Sequence, residues 1–144
     1  MGATNGAIGR VPVPASALEL LAGSDAELVA ASLAGEAAER FLHAHLSAVR
    51  AGAALLRVTG RPPRRRTVRT VWDMVAVVAP DLAHWARLFA DNAAARSAIE
   101  AGRTRVVDDL RAERALCAAE DFHSAVRGWI GLAPGDPARL RFAS

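Results

Sequence analysis

Between residues 36 and 58 apolar side chains return every three or four positions. Phe41, Leu42, His45, Leu46, Val49, Ala53 and Leu56 fall on one side of a 3.6-residue helix. Glu36, Arg40, His43, Ser47, Arg50 and Arg57 fall on the other. A stripe of this kind leaves water only by packing against another element, so the spacing predicts an amphipathic helix lying on a core. Gly60 is a natural stop, and Pro62-Pro63 forbids continuation.

The rest of the chain follows the same period. Leu18, Leu21, Leu28 and Val29 predict a first helix. Ser16 with Glu19 has capping-box spacing at its start, and Ser24 with Glu27 offers a second box after Gly23. One helix and two are both open on this pattern. Trp72, Val75 and Val78 predict a short helix over residues 71–79. Pro80-Asp81 restarts the chain, and Leu82, Trp85, Leu88 and Phe89 lead a helix that can run through an Ala-rich stretch to Gly102. A last helix spans about 107–129, with Leu110, Ala118, Ala119, Phe122, Val126 and Trp129 as its expected buried set. Roughly a quarter of the chain is Ala, which favours helix. No useful β-alternation and no internal repeat is visible. The expected fold class is all-α: one bundle of four main helices plus a short one. Residues 1–15 read as a Gly- and Pro-bearing flexible lead-in, 16–131 as the helical domain, and 132–144 as an irregular tail.

Composition removes several function classes. With 144 residues the chain is long enough for one domain, and 52% hydrophobic residues supply a core. One Cys leaves no disulfide framework within the chain and no Cys-rich zinc site. The start lacks a basic segment followed by an apolar one, and no apolar run approaches a membrane span. The expectation is a soluble, cytoplasmic protein with no membrane partner. Every one of the 18 basic residues is Arg. Arg57, Arg61, Arg64, Arg65, Arg66 and Arg69 lie close together with no acid among them. This one block outweighs the net charge of +3, so the remainder of the chain is acidic.

The second helix, Ala37-Ala38-Glu39-Arg40-Phe41-Leu42-His43-Ala44-His45-Leu46-Ser47-Ala48-Val49-Arg50-Ala51-Gly52-Ala53-Ala54-Leu55-Leu56, resembles the second helix of HEPN domains. An Arg-rich hinge follows. After it come Val71-Trp72-Asp73-Met74-Val75-Ala76-Val77-Val78-Ala79-Pro80-Asp81-Leu82 and Trp85-Ala86-Arg87-Leu88-Phe89-Ala90, which are similar too. The resemblance covers about residues 16–131 and points to an actinobacterial branch of the family. It implies a HEPN-like helical bundle, often a homodimer, that often handles RNA or nucleotides. Many such proteins are metal-independent RNases with an Arg-x4-6-His motif near the start of the last conserved helix. Arg suits phosphate, and His moves protons near neutral pH.

Arg40 and His45 have that spacing and are the candidate catalytic pair. The pattern itself weighs against them. They lie on the second helix, while the family-equivalent stretch is 87–102, near which only His84 occurs, ahead of Arg87. Residues five apart on a helix also sit about 140° apart around its axis. A core-facing His45 with Arg40 solvated beside Glu36 is the favoured alternative.

Arg61, Arg64, Arg65, Arg66 and Arg69, on a Pro-stiffened loop, are the candidate nucleic-acid contacts. No aromatic interleaves them, so no base-stacking platform is evident. His43 with Glu39 could share a metal, but two ligands do not make a site. The last helix offers Glu113, Cys117, Glu120, Asp121 and His123 without a metal-binding spacing, and Cys117 lacks an identifiable activating base. No nucleotide-hydrolysis or dinucleotide motif is present. No metal and no cofactor is therefore expected. Trp72, Trp85 and Trp129 read as core or dimer-interface residues.

The leading expectation is a non-catalytic or degenerate HEPN-type module that contacts RNA, or another phosphate-bearing partner, through the Arg loop. One alternative is a metal-independent endoribonuclease using Arg40 and His45 across a dimer. The other is an adaptor that docks a protein partner.

Overall fold

Residues Ala15–Leu33 form one unbroken helix, α1, in a computed structural model that describes residues 12–63 and 70–132. Neither expected capping box forms. Pro14 precedes α1, and its carbonyl accepts from the Ala17 and Leu18 amides at 3.0 and 3.2 Å, so Ser16 is already inside the helix. Ser24 turns its hydroxyl to the neighbouring helix instead of capping its own chain. Gly23 does not break α1. A Cβ there would meet the Arg50 side chain at 3.3 Å, so the bare glycine lets Arg50 lie against the helix.

The amphipathic stripe becomes α2, Ala37–Thr59, ended by Gly60 at φ +80°. It is the central element, packed most extensively on α1 and on the last helix. Neighbours on several sides widen its buried face beyond the expected stripe. Ala44, Ala48, Ala51 and Ala54 are fully buried, whereas Leu42, Leu46, Val49 and Ala53 are only half-buried. Ser47, assigned to the polar side by its residue type, is fully buried. Small side chains let the helices approach closely, so alanine carries much of a seam usually filled by leucine.

Helix α3, Val71–Val78, starts with a complete capping box that sequence inspection missed. The Thr70 amide donates to Asp73 Oδ2, and the Asp73 amide donates to Thr70 Oγ1, both at 3.1 Å. A 3-10 turn, Pro80–Leu82, leads into α4, Ala83–Glu100. Gly102, at φ +93°, ends α4 with the Arg103 amide bonded to the Ala98 carbonyl at 2.8 Å. A second 3-10 turn, Thr104–Val106, precedes α5, Asp109–Trp129, which Asp108 caps through its bond from the Arg111 amide at 2.8 Å.

The described residues therefore form an all-helical bundle with no strand, as the periodicity predicts. Its aromatic centre joins three helices. Trp72 of α3 stacks on Phe89 of α4 at 5.1 Å, and Phe122 of α5 meets both, at 5.9 and 5.6 Å. Each of these rings buries on the order of 150–250 Å². Leu110, expected inside, is 58% exposed because it sits in the first turn of α5, ahead of the contact with α2. Leu88 and Val29 are exposed too, while Ala118, Trp85 and Trp129 are half-buried. Residues 1–11 of the lead-in, 133–144 of the tail and 64–69 of the Arg loop lie outside the described residues.

Candidate functional site

His45 projects from α2 into an aromatic cage. Phe41, one turn earlier, stacks on it with centroids 6.4 Å apart. Trp72 and Phe89 close two further sides edge-on, each at 6.2 Å. The residue is 2% exposed, and its Nδ1 has no hydrogen-bond partner. Burial, and then the positive charge of Arg96 on α4, push its pKa down to about 4. His45 is therefore neutral at pH 7 and almost wholly withdrawn from solvent. A proton-transfer group needs a path to the reacting oxygen, and a ring only 2% exposed among three aromatic side chains is poorly placed for one.

Arg40 serves a different neighbourhood. Its guanidinium donates to the Ala34 carbonyl at 2.7 Å and so ties the α1–α2 turn together. Glu36, the expected partner, does not take this bond. The arginine that acts on His45 is Arg96, itself paired with Glu100 at 3.5 Å. Sequence spacing misses it because the two residues meet only when α4 folds onto α2.

Of the Arg block, Arg57 is exposed in the last turn of α2 and Arg61 is exposed just beyond it. Arg64, Arg65, Arg66 and Arg69 lie outside the described residues. The described residues on either side of that segment are the Gly60 terminus of α2 and the Thr70–Asp73 capping box of α3.

A second buried histidine is held by polar groups. His123 of α5 has Nδ1 2.8 Å from Ser24 Oγ of α1. The same hydroxyl lies 2.9 Å from both the Ser47 carbonyl and Ser47 Oγ of α2. Ser24 has one proton. If it donates to the carbonyl, which can only accept, both Ser47 Oγ–H and His123 Nδ1–H must donate to Ser24. That assignment satisfies all three contacts and fixes the Nδ1–H form of His123. Nearer the surface, His43 Nδ1 lies 3.4 Å from the Glu27 carboxylate, and Arg50 lies 3.9 Å from it. His43 thus faces α1 instead of sharing a ligand with Glu39. One signal for the polar seam is in the sequence: Ser47 falls three residues after Ala44 and four before Ala51, on the alanine stripe.

No group of three or more metal-binding side chains occurs among the described residues. Cys117 is exposed, and Trp72 is buried with Phe89. No described helix is long and apolar enough to cross a membrane.

The family model for SAV_6107-like HEPN matches residues 31–127, from the end of α1 to the last turns of α5. The chain belongs to this HEPN family. No curated protein and no solved structure matches it. Membership in HEPN supports a nucleotide-binding or RNase-like module in general terms. In this HEPN chain the stretch 87–102 holds Arg87 and Arg96 but no His, and the nearby His84 packs on the Trp85 ring at 4.0 Å.

Proposed function

We propose that this HEPN protein is a non-catalytic binding module for RNA or another phosphate-bearing partner. It grips that partner through Arg61, Arg64, Arg65, Arg66 and Arg69. The sealed, neutral His45 carries the non-catalytic half of the reading. A second copy could only bury this ring further, so a dimer would not make it available. Arg40, committed to the Ala34 carbonyl, offers no phosphate clamp beside it. The binding half rests on the acid-free Arg block, since planar guanidinium groups contact phosphate oxygens in pairs.

A salt series of binding to single-stranded RNA tests this. Five arginines each neutralising one phosphate predict a log–log slope of about −3.5. Changing all five to Ala should flatten the slope and remove most of the affinity while helicity is retained. Binding that ignores salt, or survives those five substitutions, would refute the reading.

A further inference from the structure

A groove of about 760 Å³ opens where the start of α2, the end of α4 and the turn ahead of α5 come together. Its floor is apolar, made by Leu42 of α2, Ile99 of α4 and Val107. Ile99 and Val107 are buried and Leu42 is half-buried, so this floor belongs to the packed bundle. The walls are charged, with opposite signs. Glu36 and Glu39 stand on the α2 side and Arg105 on the turn. All three are exposed, and among the described residues no ion pair joins Arg105 to either glutamate. The two signs are therefore held apart across an apolar floor.

We propose that this groove binds a free-ended peptide of two or three residues with apolar side chains. Its volume lies in the range of small-ligand sites, about 300–1,000 Å³. A plain anion would face two carboxylates here, and a plain cation would face Arg105. A zwitterion with an apolar body answers every wall at once. Its ammonium group lies by Glu36 and Glu39, and its carboxylate accepts paired bonds from Arg105. Its side chains cover Leu42, Ile99 and Val107. The separation of the two signs selects a peptide over a single amino acid. An amino acid carries both charges on one carbon, whereas each added residue moves the ends apart by up to about 3.5 Å. The site uses no residue of the Arg loop, so it stands independently of the RNA contact proposed there.

Methyl NMR of the full chain, titrated with leucyl-leucine, its N-acetyl form, its C-terminal amide and glycyl-glycine, tests the assignment. Leucyl-leucine should shift the Leu42, Ile99 and Val107 methyl signals and saturate. Blocking either end should weaken binding about tenfold, the size of one lost charge-assisted contact. Glycyl-glycine keeps both charges without side chains and should bind at least about tenfold more weakly. Variants tie each end to its wall. Replacing Glu36 and Glu39 together by Gln should weaken leucyl-leucine about tenfold and leave acetylation without further effect, while amidation keeps its own. Arg105→Gln should do the converse. All three positions are exposed, and a general loss of fold would not separate the two ends. The proposal is overturned if leucyl-leucine leaves these methyl signals unmoved, if the blocked forms or glycyl-glycine bind equally well, or if the variants respond alike to both blocks.

Discussion

His45 and His123 are both buried, in the same bundle, against opposite surroundings. His45 is surrounded by Phe41, Trp72 and Phe89, and its Nδ1 has no polar partner. His123 meets the Ser24 hydroxyl within a three-helix seam. One histidine packs as an aromatic ring. The other ties α1, α2 and α5 together through hydrogen bonds. Residue type alone therefore does not tell which histidine is chemically available, because the neighbours decide.

The largest effect that can break this contrast comes from acid. The folded pKa of His45 is about 4, against an ordinary value of 6.5. Between those values the unfolded chain binds more protons, so stability is complete above pH 6.5 and falls as pH drops toward 4. The loss is on the order of 3 kcal/mol. Urea melts across this range should show it in the native protein and lose much of it in His45→Phe. An identical pH dependence in both would mean that His45 is not sealed.

His45→Ala comes next. Emptying an aromatic cage predicts a loss of about 2–4 kcal/mol, while His45→Phe at pH 7 should cost less than about 1.5 kcal/mol. Ser24→Ala probes the other side of the comparison. It leaves buried groups of Ser47 and His123 without the shared hydroxyl and should cost about 1–3 kcal/mol in the same melts. Little loss would mean that the seam is ornamental.

Two smaller changes sharpen the picture. A Cβ at Gly52 would sit 3.4 Å from Val75 and 3.5 Å from Trp72, in ordinary contact. Gly52→Ala should therefore raise stability by up to about 1 kcal/mol through backbone entropy. Glu27→Gln removes the carboxylate between His43 and Arg50. Because the Arg50 side chain is 43% exposed and its contact with Glu27 is long, at 3.9 Å, the cost should stay within about 1 kcal/mol.

The helices were legible because their signal is local. Phe41, Trp72, Phe89 and Phe122 announce themselves by size and spacing, and Gly60 and Gly102 mark their stops. The width of the buried face was not legible. It depends on how many neighbours surround α2, which is why Ser47 lies inside and Leu42 only half inside. The missed caps show the same limit in miniature: Ser24 has capping-box spacing, yet its hydroxyl finds a histidine 99 residues away. The His45 cage joins three helices. It is written in no single stretch of the chain. Arg40 and His45 matched a spacing, but Ala34 and the aromatic cage occupy them separately.

The account turns on whether His45 performs chemistry. Single-stranded RNA incubated with the protein in EDTA at neutral pH, beside His45→Phe and with both products run on a gel, asks this directly. The account predicts intact RNA with both proteins and equal retention of the strand. Cleavage by the native protein that disappears in His45→Phe, with the fold preserved, would contradict it.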